Sequence, residues 1–296
     1  MNLLLSLGLA ILELSTPGSV IVRQGVAYGP GDRGRLDVYA PRRPAAHAPI
    51  AVFIYGGSWQ SGAKSMYRFV GVALASRGIV TVIPDYRVYP EVRYPAFLED
   101  NARAVAFSKA HAAEWGADPA RLYLIGHSAG AYNVAMLATD NRWLGPVGLN
   151  AHRDVSGVYG LAGPYDFLPL KDPVLKTIFG PEDQLPDTQP INHVDGSAPP
   201  MRLVAGDRDT TVDPGNSLRM TAALRAKGGV ASAWIYPGLG HIGLLTTLSG
   251  LFRGRAVVLN DIGDFVNGED AARARAINRA EPPLASSQTR AAGARS

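Results

Sequence analysis

The chain has no cysteine, which removes disulfide frameworks, thiolate metal sites and thiol nucleophiles together. It also lacks any run of Lys or Arg: 29 basic and 25 acidic residues are scattered over 296 positions, for a net charge of +4. Nothing basic enough to track a phosphate backbone is present, so no nucleic-acid partner is expected. Charged residues make up only 18% of the chain and hydrophobic ones 47%, the balance of a folded globular enzyme rather than of a disordered or fibrous chain. The apolar stretch 3–12 is too short to span a bilayer, lacks a preceding Lys or Arg, and meets the acidic Glu13 first. It reads as a docked or interfacial helix in preference to an export signal. That reading favours the cytoplasm and leaves weak membrane association through residues 1–19 open. Nothing in the sequence specifies an oligomer.

What is present is a regular alternation. From residue 20 onward, short β-branched runs alternate with longer helical patterns, the signature of a mostly parallel sheet with helices on both faces. Strands are expected at 20–28 and 35–39 as an opening hairpin, then at 50–55, 79–83, 122–125, 155–161, 201–205 and 231–236. Helices are expected around 69–74 and at 97–115, 129–138 and 216–227. The length suits one large α/β domain, placed at 20–267 after the apolar segment 1–19. Within it, 163–200 is too rich in Pro and Asp for a long regular element and is expected to fold over the sheet edge as a partial lid. Residues 268–296, rich in Ala and Arg with Pro282 and Pro283, read as a disordered tail.

Gly126, His127, Ser128, Ala129 and Gly130 have the form G-x-S-x-G. With 33 glycines in the chain the bare match carries little weight. Its weight comes from context, directly after an apolar strand and directly before a helix. A nucleophilic serine at so sharp a turn needs small neighbours, and the helix-capping serine is the structural alternative. A serine hydroxyl also needs a histidine to take its proton and a carboxylate to fix that histidine's tautomer. Of six histidines, only His241 follows the last strong strand, in a glycine-containing loop able to return over the sheet edge. His127 should point away from the Ser128 hydroxyl. For the carboxylate, the strand at 201–205 is followed by Asp207, Asp209 and Asp213. Asp209, at the turn's apex, is preferred; Asp207 and Asp213 read as a turn brace and a helix cap, and Asp166 is an outside alternative. The oxyanion donors are expected from Ala129 and from Gly57 with the adjacent Ser58. Trp59, Tyr132, Tyr165, Phe167, Leu168 and Phe179 could line an apolar or aromatic pocket.

The stretch 55–59, the run 85–91, the elbow 126–130, the turn 206–212 and Gly240 with His241 together resemble the bacterial carboxylesterases of the α/β-hydrolase superfamily. Nearest is the branch of feruloyl-esterase-like and arylformamidase-like enzymes, and the resemblance spans about residues 26–266. It implies an α/β-hydrolase fold, a triad of Ser128, Asp209 and His241, a small-molecule ester substrate, and no cofactor or metal. One departure stands out: Tyr55 occupies the place of the family's histidine before the glycine pair, so any hydrogen bond made by that histidine must be replaced or lost. Asp85 and Arg87 read as braces. Ester hydrolysis is the leading expectation; an amidase of the arylformamidase type and a non-catalytic hydrolase-fold binding protein are the alternatives.

Overall fold

A computed structural model describes residues 19–249 and 258–268. The expected N-terminal helix and C-terminal tail fall outside the described residues, apart from their inner edges. Strands β1 (Val20–Ala27), β2 (Arg35–Pro41), β3 (Ile50–Ile54), β4 (Val80–Pro84), β5 (Leu122–His127), β6 (Gly157–Leu161), β7 (Met201–Gly206) and β8 (Ala231–Tyr236) form one sheet. Its order is β1-β2-β4-β3-β5-β6-β7-β8. The opening pair β1–β2 and its junction β2–β4 are antiparallel, and every other pairing is parallel. β3 and β4, with the sequences IAVFI and VTVIP, are buried at every position. Such strands are almost wholly apolar because helices cover both of their faces; the one polar side chain, Thr81, donates to the Ile79 carbonyl. At the sheet edge β8 changes character, and Trp234 is 60% exposed.

Helix α1 (Arg68–Ala75) packs on β2 and β4, α2 (Ala96–Ala110) on β3 and β4, and α3 (Ala129–Thr139) on β3, β5 and β6. After two one-turn helices at Asn141–Leu144 and Ala151–Asp154 come α4 (Pro173–Phe179), α5 (Gly215–Ala226), α6 (His241–Thr246) and α7 (Val258–Asn267). Side chains alternate across β5, so Tyr123 meets Phe265 of α7 while Gly126 abuts Gly130 of α3 on the other face. The helix expected over 97–115 is interrupted. α2 stops at Ala110, a 3-10 turn covers Ala113–Trp115, and Gly116 at φ 83 reverses the chain. The apolar spacing carries through the break because Trp115 still contacts the Phe107 ring. Segment 163–200 holds α4, capped by Asp172 on the N–H groups of Val174 and Leu175, and 3-10 turns at Glu182–Thr188 and Pro190–His193.

The parallel strands deliver their C-terminal ends to one edge, the place where open α/β sheets bind ligands. The β5–α3 junction is the tightest point there. Ser128 adopts φ 55 and ψ −123, a left-side conformation costing a non-glycine residue about 1–3 kcal/mol. A Cβ on Gly126 would collide with the Gly130 backbone, and one on Gly130 with the Ile54 carbonyl. Gly130→Ala should therefore push α3 off β3 and destabilise the protein by at least about 1–3 kcal/mol, read as a lower urea midpoint. An unchanged midpoint would mean that α3 is free to shift.

Candidate active site

Three side chains from three separate loops converge at that edge. The strained turn lifts Ser128 above β5, and its N–H is pinned to the Leu161 carbonyl at 2.8 Å. His241 opens α6, and its Nε2 lies 2.9 Å from Ser128 Oγ. On the other side of the ring, Nδ1 is 2.8 Å from Asp209 Oδ2. Asp209 Oδ1 in turn accepts the N–H groups of Thr211 and Val212, both at 2.9 Å. The Asp209 side chain is completely buried, a costly place for a carboxylate unless its oxygens are satisfied. Here both are, which fixes the imidazole with Nδ1 as donor and Nε2 as acceptor toward Ser128.

The competing carboxylates are engaged elsewhere. Asp207 accepts the Gly238 N–H at 2.6 Å and braces the turn, while Asp213 accepts the Gly215 N–H at 2.9 Å at the start of α5. Asp166 and Asp213 both pair with Arg219. Asp85 accepts the Tyr55 hydroxyl, and Arg87 makes a two-pronged pair with Asp100.

Gly57 and Ser58 follow β3, and Ala129 is the first residue of α3. Among the described residues none of their three N–H groups has an acceptor within the protein. Two clefts meet at the serine, sharing Ser58, Ser128 and Thr211. The larger, of about 600 Å³, is walled by Trp59, Pro164, Phe167, Leu168, Leu170 and Leu175, with Lys171, Asp172, Asp213 and Arg219 also along it. The smaller, of about 520 Å³, runs past His241 to Met66, Ile242 and Leu245.

The expected pocket aromatics divide. Trp59, Phe167 and Leu168 line the larger cleft, but Tyr132, Tyr165 and Phe179 do not and are corrected to core positions. Phe179 meets the Trp59 ring edge-on at 4.7 Å, and Tyr132 sends its hydroxyl to the Thr188 carbonyl at 2.7 Å. Large rings gain about 1.5–3 kcal/mol from full burial; Tyr132 and Phe179, with Phe97, form the bed on which Trp59 rests, while Tyr165 packs against Gly160 and Gly163. Asn133, which the sequence did not single out, accepts the Trp59 indole N–H at 2.9 Å. A tryptophan facing a helix that carries one buried amide was the available signal.

His127 was expected to turn away from the serine hydroxyl, and its ring is buried beside His241. Its Nε2–H donates to the His241 carbonyl at 3.2 Å. Burial, reinforced by the neighbouring His241, lowers its pKa to about 3. It is thus a neutral strut under the histidine's backbone. Among the described residues no group of three or more His, Asp or Glu side chains is placed to hold a metal, and no helix is long and apolar enough to cross a membrane.

The mostly parallel eight-stranded sheet, with a serine at its central elbow and a histidine after its last strand, defines an α/β-hydrolase. The BD-FAE family model matches residues 36–224, and the chain belongs to that family. It is 29% identical over 270 residues to the isoprenylcysteine alpha-carbonyl methylesterase ICME of Arabidopsis thaliana, an alignment covering 84% of this chain and 63% of that one. The chain thus spans less than two thirds of that relative's length. Kynurenine formamidase of Salmo salar is 32% identical over 146 residues, or 49% of this chain and 47% of its own. Among solved structures, a truncated carbohydrate esterase from gut microbiota superposes with a TM-score of 0.73 at 21% identity, covering 85% of this chain and 96% of that one. That likeness is one of fold. These relatives do not single out the bacterial branch.

The state of His127 has a consequence for stability. With a pKa of about 3 folded and an ordinary value of 6.5, the unfolded chain binds a proton below pH 6.5 that the folded protein refuses. Its contribution is therefore fully present above pH 6.5 and lost as pH falls toward 3, with a slope approaching about 1.4 kcal/mol per pH unit. His127→Gln keeps a donor for the His241 carbonyl but cannot titrate, so it should flatten the pH dependence of stability by one proton. Urea unfolding of both proteins at pH 4.5 and 7.5 measures this. Parallel slopes would refute it.

Proposed function

We propose that the chain is a carboxylic ester hydrolase that works through an acyl-enzyme on Ser128, with His241 as general base and Asp209 as the group that orients it. The observation carrying this reading is the continuous row from Asp209 through His241 to Ser128, at 2.8 and 2.9 Å, where two clefts meet. Ser128 Oγ attacks the ester carbonyl as its proton passes to His241 Nε2. The imidazolium so formed keeps its Nδ1–H on Asp209. Negative charge growing on the carbonyl oxygen is met by the N–H groups of Gly57, Ser58 and Ala129, each such donor being worth about 3–4 kcal/mol. Collapse expels the alcohol, which takes the Nε2 proton; water then repeats the sequence on the acyl-enzyme. No cofactor or metal enters these steps.

Because His241 must protonate the leaving group, the alcohol belongs on its side, in the cleft of Met66, Ile242 and Leu245. The acyl group then occupies the Trp59 and Phe167 cleft. An aromatic or apolar acyl group suits those walls, in keeping with the feruloyl-esterase-like branch. Ester cleavage is also what the name of the Arabidopsis thaliana relative describes. A second reading, cleavage of N-formyl aryl amides, is favoured by the similarity to kynurenine formamidase and by the aromatic wall of the same cleft.

Ser128→Ala should abolish turnover with the fold intact. Asp209→Asn, which presents the wrong tautomer, should lower kcat by about 10⁴-fold, and adding it to Ser128→Ala should cost almost nothing further. Asp207→Asn and Asp213→Asn should lose only about 0.5–2 kcal/mol of stability, with kcat little changed. Steady-state kinetics at equal folded concentration decides; collapse of kcat in Asp213→Asn or Asp166→Asn, with Asp209→Asn near wild type, would reverse the assignment.

A parallel panel of short-chain and aromatic p-nitrophenyl esters against N-formyl aryl amides separates the two readings. The expected outcome is faster ester turnover, with preference extending to aromatic acyl groups. Formamide turnover exceeding that of every ester would favour the amidase.

A further inference from the structure

The loop that carries Gly57 and Ser58 is held from beneath by a stack of buried tyrosines. Tyr55, immediately before the glycine pair, is fully buried, and its ring lies between Tyr67, stacked at 5.2 Å and 9°, and Tyr86, at 4.8 Å and 27°. The Tyr55 hydroxyl donates to Asp85 Oδ1 at 2.9 Å, and the same oxygen accepts the Lys64 N–H at 2.7 Å. From the other ring, the Tyr86 hydroxyl donates to the Tyr55 carbonyl at 2.8 Å. Arg33 ties the loop's two ends together: its Nη1 is 3.4 Å from the Tyr55 hydroxyl and 3.2 Å from the Gly62 carbonyl. Gly62, at φ 113, is pressed so closely on the Tyr55 ring that a Cβ would come within 2.6 Å of it. Burial, followed by the charge of Asp85, holds the Tyr55 phenol well above its ordinary pKa, so it stays a donor at any working pH.

Between these anchors the chain runs through two non-glycine residues at positive φ, Ser58 at 53 and Trp59 at 57. Backbone in that region persists only where the surroundings over-determine it. Tyr55 and Tyr86 are sealed from both clefts and cannot touch a substrate. We propose that Tyr55 is a positioning residue for the oxyanion donors: clamped by Tyr86, Tyr67 and Asp85, it sets the plane of the following peptides and so the aim of the Gly57 and Ser58 N–H groups. The hydroxyl on Asp85 also answers what replaces the histidine expected at this place in the sequence. This inference rests on the ester-hydrolase reading, since the donors matter only where charge develops on a carbonyl oxygen.

The test uses the full chain and matched p-nitrophenyl oxo- and thionoesters. Tyr55→Phe keeps the ring stack and deletes one hydroxyl. Removing a donor outright costs about 10²–10³ in kcat, so loosening one should lower kcat for the oxoester by roughly 10-fold and leave KM within about twofold. The sulfur anion of a thionoester is a poor match for these donors, so its rate should fall less and the oxo-to-thiono rate ratio should shrink. Tyr86→Phe, which frees the Tyr55 carbonyl, should move the same ratio the same way and serves if Tyr55→Phe does not fold. An unchanged kcat and ratio in the folded variant overturns the proposal. Equal losses on both esters overturn it too, because they would mark general loosening. Wild-type protein that turns over neither ester and is not labelled by a serine-directed phosphonate would remove the ester-hydrolase reading first, and the role of Tyr55 with it.

Discussion

The backbone at Ser128, at φ 55 and ψ −123, is a conformation that its neighbours must enforce. Three strands and a helix do so. β6 holds the Ser128 N–H through the Leu161 carbonyl, α3 takes its carbonyl through the Tyr132 N–H at 3.1 Å, and Gly126 and Gly130 let β5, α3 and the end of β3 close without a methyl group between them. The cost at one residue, about 1–3 kcal/mol, is small against two hydrogen bonds at about 1 kcal/mol each and the burial of every side chain of α3. In return the hydroxyl stands clear of the sheet and the first N–H of α3 remains unpaired beside it. The elbow therefore presents the proposed nucleophile and one proposed oxyanion donor together. The second donor loop leaves β3, the strand on which Gly130 rests.

Charge at this edge is distributed so that one carboxylate is left for the imidazole. Arg219 draws Asp166 and Asp213, and the Gly238 N–H draws Asp207. Asp209 has no cationic Lys or Arg partner among the described residues, only two backbone N–H groups and His241. In so buried a place the field of a carboxylate acts on a neighbouring ring with less screening than that of an exposed acid. Had Arg219 reached Asp209, that electrostatic support would be divided.

Much of this was legible in the sequence because it depends on periodicity and on small residues at fixed places. Buried parallel strands read as unbroken β-branched runs, and the elbow reads as glycines on either side of a serine between strand and helix. Asp209 was legible from its place at the apex of the turn after β7. What did not read through was direction. Tyr132, Tyr165 and Phe179 lie close to the cleft in sequence terms, yet a ring has the same signature whether it faces the cleft or the bed beneath it. His127 occupies a position the motif leaves free, and only the return of α6 over β5 brings the His241 carbonyl within reach of its ring. The break in the helix over 97–115 was hidden because contacts between Phe107 and Trp115 continue the apolar spacing across it.

The proposed catalytic row and the wall of the larger cleft differ in what builds them. Gly57, Ser58, Ser128, Ala129, Asp209 and His241 all stand within a few residues of strand ends, where the sheet fixes them. The wall of the larger cleft opposite Trp59 comes instead from one stretch after β6, which contributes Pro164, Phe167, Leu168, Leu170 and Leu175. That stretch is held at its start by side chains of α5 and by Gln189. The Asn216 side chain accepts the N–H groups of Tyr165 and Asp166, and Gln189 accepts that of Phe167. These two amides, with the Arg219–Asp166 ion pair, all act at 165–167 and are not part of the Ser128 row. On the proposed mechanism, substitutions between 167 and 175 reshape the acyl side while the Ser128 row keeps its own supports, whereas a change at the elbow disturbs the proposed nucleophile, its neighbouring donor and strand packing at once.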